Sequence, residues 1–466
     1  MNHLKAFLKY PLSLLLCLLL SIAVWIIFYP GIYSPDSLDL AYESALGIFS
    51  DLHAVLMPFV VSIVLKLGGS FGGVICTQIL LGFLGVRKLI LSFVHFWGNL
   101  EGQADWIASF ILILLALPLT PLSIYLATFW NDTWLTIFLI WAVALLIDLH
   151  QEMETRRQFI FKTLVAVFFM GLVILSRQNA LVVYPFMALV MVIILRRKSI
   201  HWFFCGLAML FPLVIYFSFV YYQYGVLKTG RTNPERAIYA LDLASMAVYD
   251  PAICHNLAIT SCDSVLDSFP SSFVVGNGAI DLTFNQGEAP HPFFFDLFYY
   301  PELTGDYFLA VREHPLDLAA VKLLNFLDYI RPDPARYFYQ RRELSNELGL
   351  VSDVRFAPGR NAWFSMTDWV LQNSILHWFS YVHAVWLIVT ILGLLICVAH
   401  AHRVGGNRYL FLGSLLLIPF SYYISYLIAL TTSEFRFMFP SMLVMQVVTM
   451  TWAASFIARR WHLPGR

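Results

Sequence analysis

Charge is scarce in this 466-residue chain. Asp, Glu, Lys and Arg make up 12% of it, about half of what a soluble domain carries. The 29 basic and 29 acidic residues cancel, so no global field favours nucleic acid as a partner. Phosphate-cradling glycine motifs are missing too: neither a P-loop nor a Rossmann fingerprint occurs, which sets aside a nucleotide-driven pump. No Cys/His cluster has zinc spacing. There is no internal repeat, no heptad and no likeness between the two halves of the chain. The six cysteines include Cys17, Cys76, Cys205 and Cys397 inside apolar runs, where they read as small buried hydrophobes. Cys254 and Cys262 lie in the long polar segment, as a disulfide or as two free thiols.

Apolar residues fill the space that charge vacates. The chain is 59% hydrophobic, with a mean hydropathy of +0.73. Ten stretches are long enough to cross a bilayer: 11–29, 71–93, 106–124, 133–149, 158–176, 179–195, 203–224, 381–400, 409–431 and 437–458. The first follows Lys5 and Lys9 and superficially resembles a signal peptide. It exceeds the usual apolar core of about 7–15 residues, and Ile27-Phe28-Tyr29-Pro30 offers no small-x-small cleavage site. It reads as an uncleaved span. The run Ala54–Leu67 has 14 residues, short of the roughly 20 a span needs, and reads as an interfacial or re-entrant helix.

Basic residues orient the chain. With ten spans and the N-terminus inside, the cytoplasmic side holds Lys5, Lys9, the clusters at Arg87, Arg156 and Arg196, and Arg403, Arg408, Arg459, Arg460 and Arg466. The short outer loops hold only Lys66, Arg177 and Arg436. Counting Ala54–Leu67 as a span would turn three basic clusters outward. The expected architecture is therefore an all-α membrane bundle of about ten spans, both termini cytoplasmic. Residues 1–224 form an N-terminal module with a first outer loop at 30–70, residues 225–380 a mainly helical extracytoplasmic domain, and 381–466 a C-terminal module. In the outer domain a helical pattern covers Gly305–Arg331, with Tyr307, Leu309, Val311, Leu316, Leu318, Val321 and Leu324 as candidate core positions.

Chemistry concentrates on the outer side. The first loop contains Tyr33-Ser34-Pro35-Asp36-Ser37; Ser34 as N-cap and Pro35 in the first turn predict a helix, and Gly47 its end. Asp36, Asp39 and Glu43 fall at i, i+3 and i+7 on one face of it. The macrodipole alone accounts for an acid at Asp36, at about 0.3–1 kcal/mol, and catalysis is the other reading. Asp51 and His53 follow. Asp132, after Trp130-Asn131, is placed to cap a helix starting near Thr133. Arg177-Gln178-Asn179 sits between two spans with almost no loop. Its arginine either snorkels to headgroups or binds a phosphate, which the guanidinium fork suits. Glu434-Phe435-Arg436 repeats the situation at the last outer turn, where the two charges can pair or hold an anion. Trp130, Trp134, Trp202, Trp378 and Tyr422 read as interfacial aromatics, and His95, His150, His201 and His400 as span-end residues reaching to the surface.

In order, these pieces resemble the C-type (GT-C fold) superfamily of polytopic membrane glycosyltransferases that use polyprenyl-phosphate sugars. The likeness rests on Tyr33-Ser34-Pro35-Asp36-Ser37, Ser50-Asp51-Leu52-His53, the helix around Pro58, Trp130-Asn131-Asp132, Ser176-Arg177-Gln178-Asn179, Val311-Arg312-Glu313-His314-Pro315 and Glu434-Phe435-Arg436-Phe437 with Pro440. It spans nearly the whole chain. Many relatives have His-Pro-Pro where this chain has His53-Ala54, and a basic residue where it has Asn131; these departures leave the subfamily and the sugar open.

The resemblance implies a lipid-linked sugar donor, a glycan, lipid or protein acceptor, and a bacterial cytoplasmic membrane. It implies Asp36 as general base on the acceptor hydroxyl, with Arg177 and Arg436 on the donor phosphate and inversion at the anomeric carbon. Asp132 would orient the acceptor, or hold a divalent cation (Mg2+ or Mn2+) together with Asp36; metal-dependent and metal-free chemistry both stay open. His53, Asp51, Asn179 and Glu434 would line the pocket. A transporter or flippase of an anionic lipid or sugar is the alternative, and a non-catalytic assembly partner a third. A transporter calls for ionisable groups near mid-membrane, whereas here they gather at the outer edge.

Overall fold

A computed structural model describes residues 10–98, 100, 102–151, 155–256, 299–331, 346–404, 407–429 and 435–461. Regular structure in these residues is helical, with eighteen α-helices, short 3-10 turns and two isolated β-bridges. The chain divides into two compact units. One comprises 1–230, 339–422 and 436–466, and the other 231–338 and 423–435.

In the larger unit, α1 (Pro11–Phe28) leads to α2 (Pro35–Leu46) and α3 (Leu56–Lys66), then α4 (Phe71–Trp97). Next come α5 (Ala104–Ala116), α6 (Leu122–Ala127), α7 (Asn131–Gln151), α8 (Arg156–Ser176), α9 (Tyr184–Arg197) and α10 (Trp202–Gly225). Among the described residues nine helical stretches are long and apolar enough to cross a membrane; six of these are α1, α4, α7, α8, α10 and Gln178–Arg197. The remaining three are His383–Arg403, Asn407–Ala429 and Phe435–Arg460. The shortest, α1 at 18 residues, is about 27 Å long, close to the hydrocarbon thickness. Helix α3 has 11 residues, about 16 Å, and cannot span.

The stretch 106–124, expected as one span, is two helices. Pro118 and Pro121 lack amide donors and bias the residues before them away from helix, so α5 stops at Ala116. Hydroxyls satisfy the carbonyls freed there: Thr120 Oγ1 donates to Leu115 O at 2.6 Å and Ser123 Oγ to Ala116 O at 2.7 Å. The short α6 then lies close against α4. A Cβ at Gly82 would stand 2.3 Å from Leu126 Cδ2, so glycine permits the approach. Gln78 on α4 locks it, donating to Leu126 O (2.7 Å) and Thr128 O (2.9 Å) while accepting from the Trp134 indole at 2.8 Å.

The smaller unit is built on α11 (Glu235–Tyr249), α12 (Leu303–Glu313) and α13 (Pro315–Ile330), whose core includes Leu241, Leu243, Met246, Leu303, Ala310 and Val321. The single helical pattern expected over Gly305–Arg331 is broken at His314-Pro315, which shifts the phase of the buried face. Of the expected core positions Val321 is buried and Leu318 packs against the core, but Leu316 is 81% exposed. Inside this unit the Asp242 carboxylate is fully buried, 2.8 Å from Lys322 Nζ, and accepts from the Tyr307 hydroxyl at 3.3 Å.

The rest of the larger unit is α14 (Ala357–Gln372), α15 (Ser374–Tyr381), α16 (His383–Val404) and α18 (Phe439–Trp461), while α17 (Asn407–Ala429) begins in it and ends in the other. Cys17, Cys205 and Cys397 are buried free thiols and Cys76 is half-buried. The Cys254–Cys262 question lies outside the described residues.

Candidate active site

The site is assembled from the first loop and three span ends. Helix α2 starts and stops where its sequence dictates. Ser34 is its N-cap, accepting from Ser37 N at 3.3 Å, and Gly47 ends it at φ +68°, in the left-handed region. Just upstream, Ile32 N donates to Ala127 O (2.9 Å) and Phe129 N to Ile32 O (3.2 Å), a two-residue bridge that ties the first loop to the strand-like segment before α7. The tie sets Ser34 against Trp130, whose indole N–H donates to Ser34 Oγ at 2.8 Å. A second tie runs from Asn131 Nδ2 to Ala54 O, 3.2 Å.

Helix α7 begins at Asn131, two residues earlier than expected, and Thr133 N already bonds Trp130 O at 3.1 Å. Asp132 is thus in the first turn, not at the cap, and its carboxylate turns to Arg177 at the end of α8, with which it forms an ion pair. Arg436, in the 3-10 turn Phe435–Met438 that leads into α18, pairs in the same way with Asp36. One ring joins the two pairs: the Phe437 centroid is 4.3 Å from the Arg177 guanidinium carbon and 5.1 Å from that of Arg436. Trp130 lies on Arg436 as well, at 4.8 Å. Such contacts hold cations without consuming their N–H donors. His53 is half-buried and within electrostatic reach of Asp36, Asp132, Arg177 and Arg436 together.

Among the described residues two guanidiniums are paired with two carboxylates here. Burial pushes the Asp36 carboxyl upward, but Arg436, His53 and Arg177 outweigh it and hold the group below the usual carboxylate range. Burial lowers His53, with the two guanidiniums helping and Asp36 and Asp132 opposing. Burial raises Asp39 and Glu43, and each is raised further by the acid before it on the same face. Glu43 also accepts from Ser50 N (3.0 Å) and Oγ (2.5 Å), which closes the loop after α2. The Asp36 side chain keeps 40% of its surface accessible, against 9% for Arg436. The acid is open to a ligand and the arginine anchors it.

The cluster therefore joins Asp36, His53, Asp132, Arg177 and Arg436. Asp51 is buried elsewhere, accepting from the Tyr224 hydroxyl at 3.0 Å. Asn179, two residues past Arg177, has a buried Oδ1 without a hydrogen-bond partner. Glu434 lies outside the described residues. Sequence reasoning took Trp130 for an interfacial aromatic and gave Phe437 no role of its own in the site. Trp130 is 1% exposed, and Tyr422 is fully buried too, so neither is an interfacial aromatic; the signal for both cluster rings was their position beside Asp132 and Arg436.

Asp36 and Asp132 are each paired with an arginine, and among the described residues three metal-ligating side chains converge at Asp250, His314 and Asp317, in the smaller unit. An apolar cavity of 360 Å³ lies between α3, α4 and α7, lined by Val60, Val64, Thr77, Trp134 and Phe138 among others. Trp134 follows Asp132 by two residues and so projects from a different face of α7, and the cavity contains none of the charged residues.

No protein-family model and no curated protein matches the sequence. Among solved structures, the chain is similar to the oligosaccharyltransferase of Archaeoglobus fulgidus in complex with zinc and sulfate, at 12% identity and a TM-score of 0.38, over 96% of this chain and 50% of that one. AglB of the same archaeon, in complex with an inhibitory peptide and a dolichol-phosphate, matches at 12% identity and a TM-score of 0.43, over 99% and 53%. ArnT from Cupriavidus metallidurans, bound to undecaprenyl phosphate, matches at 14% identity and 0.36, over 94% and 77%. The chain thus spans about half the length of the two archaeal structures. At these scores the likeness carries no inference about the site, whose reading rests on its own geometry.

Proposed function

We propose that the protein is a membrane glycosyltransferase that moves a sugar from a polyprenyl-phosphate donor to an acceptor hydroxyl at the outer face of a bacterial cytoplasmic membrane. One observation carries this reading: two arginines at span ends share the Phe437 ring, and each is neutralised by a carboxylate that an incoming phosphate can displace. AglB and ArnT were each solved with a polyprenyl-type phosphate. Here the donor class is assigned from the arginine pair and from the order of the motifs.

The pairing suggests how the base is switched on. While Arg436 holds Asp36, the acid is a weak base. When the donor phosphate takes Arg436 and Arg177, Asp36 loses the interaction that lowers its pKa, while its burial still raises it. It then accepts the acceptor's hydroxyl proton. The acceptor oxygen bonds to the anomeric carbon from the side opposite the phosphate, and the carbon–oxygen bond to the phosphate breaks with its electron pair. Charge growing on the phosphate meets both guanidiniums. Displacement in line inverts the anomeric configuration. Asp132, released from Arg177, orients the acceptor. No step is assigned to a metal ion.

The test is made in nanodiscs, with wild type and Asp36→Asn incubated with radiolabelled polyprenyl-phosphate sugars. Release of carrier phosphate, including slow hydrolysis, is expected from wild type and to fall at least a hundredfold in the variant. Equal release from both removes Asp36 as the base. Specific donor binding without turnover, whatever the acceptor, turns the reading to a transporter.

A further inference from the structure

The opposite ends of the same spans hold a second concentration of charge. Helix α7 runs from Asp132 at one end to His150 near the other, about 27 Å along its axis. His150 does not reach out to the surface as its span-end position suggested. It is buried, its ring stacked on Phe411 with centroids 3.7 Å apart. Phe96, near the end of α4, completes an aromatic floor, 5.8 Å from Phe411.

Three arginines, on α9, α17 and α18, close on this floor. Arg197, the last residue of α9, bonds His150 Nε2 at 2.5 Å. Arg408, in the first turn of α17, lies 4.7 Å over the Phe96 ring and donates to Phe96 O. Arg459, in the last turn of α18, donates to Trp97 O and, at 3.2 Å, to Gly98 O. Arg197 and Arg408 are both within electrostatic reach of His150, and Arg459 of Arg408. The nearby Asp148 is committed to Lys88 and Ser92. Among the described residues none of the three arginines forms an ion pair with a carboxylate, and all three are exposed. Cations at the C-termini of α9 and α18 complement the helix dipoles, but Arg408 sits at a helix N-terminus, where the dipole opposes it. The carbonyl end of α4 offsets this on one side of Arg408, and among the described residues no carboxylate meets the rest of its guanidinium.

We propose that this cluster binds the phosphate of an anionic phospholipid headgroup, in the leaflet opposite the Asp36–Arg436 cluster. Guanidinium forks fit phosphodiester oxygens, and basic pockets between spans suit such headgroups. The lipid, rather than free phosphate, is favoured by the apolar surface beside the arginines. Phe456, one turn before Arg459 on α18, is 45% exposed and stacks with Trp452, itself 51% exposed. Both are placed to meet acyl chains.

Native mass spectrometry of the full-length protein in detergent tests this with phosphatidylglycerol, phosphatidylcholine and inorganic phosphate as probes. Wild type is expected to retain phosphatidylglycerol over phosphatidylcholine, and equimolar inorganic phosphate is expected not to displace it. Arg408 and Arg459 also satisfy helix-end carbonyls, so the decisive variant is Arg197→Gln, since among the described residues the Arg197 guanidinium hydrogen-bonds to the His150 ring alone. It should weaken phosphatidylglycerol retention about fivefold with an unchanged thermal midpoint. Arg408→Gln and Arg459→Gln should weaken it similarly. Equal retention of the two lipids, displacement by inorganic phosphate, or unchanged retention in Arg197→Gln would each overturn the proposal.

Discussion

At the scale of single residues, the site sets each carboxylate's behaviour by its partner. Burial and Arg436 pull Asp36 in opposite directions, and the arginine wins. The sign of the pH dependence follows. A carboxyl whose folded pKa is lowered keeps its charge, and the stability of its ion pair, until the pH falls below the ordinary carboxylate range. Wild-type kcat/KM should therefore hold well into acid. In Arg436→Ala the largest influence opposing burial is gone, and the acid limb of the kcat/KM profile should move to higher pH. A limb that stays in place would mean that another group sets it. Arg177→Ala should weaken donor binding by about tenfold or more, the scale of a hydrogen bond to a charged group. Asp132→Asn, by removing the rival anion, should leave donor affinity equal or tighter. Competition binding with a labelled donor distinguishes the two.

At the scale of elements, the cluster depends on how α2 is fastened. Ser34 is both the N-cap of α2 and the acceptor for the Trp130 indole, and Trp130 in turn lies against Arg436. Ser34→Ala loses the cap and leaves a buried indole donor unsatisfied. It should cost about 1–3 kcal/mol in unfolding free energy and lower turnover with little change in donor affinity. Thermal unfolding in detergent together with donor-saturation kinetics checks this; a variant as stable as wild type would show that the bridge at Ile32 and Ala127 suffices. The bounds of α2 were legible beforehand because Ser34, Pro35 and Gly47 act locally. The break between α5 and α6 was not, since an apolar count passes smoothly over Pro118 and Pro121. The core face of α12 and α13 was missed in part for the same reason at Pro315, with Val321 and Leu318 foreseen and Leu316 and Leu324 exposed.

At the scale of the whole molecule, the smaller unit carries its own pH response. Burial raises Asp242 to about 6, with Lys322 and Tyr307 opposing. For an acid the folded state then binds more protons than the unfolded chain between about 4 and 6. Stability is lost as the pH rises through that window. Hydrogen exchange of α11, α12 and α13, corrected for intrinsic rates, should show greater protection at pH 4.5 than at pH 7.5. Asp242→Asn should flatten the difference, and a wild-type unit indifferent to pH would mean that Lys322 neutralises the acid throughout.

The sequence by itself determined what depends on composition and short spacing. Runs of apolar residues required a membrane bundle, because the bilayer needs about 20 of them per crossing. Caps and stops fixed α2, and the rarity of charge at one set of span ends singled out Asp36, Asp132, Arg177 and Arg436. Tertiary structure decided which charges meet. Arg436 lies 400 residues from Asp36, and no local rule predicts that pairing. It follows from packing, through the backbone bridge at Ile32 and the ring of Phe437 between two guanidiniums. Ion pairs at the edge of a membrane form between the groups that the helices bring together, whatever their separation along the chain.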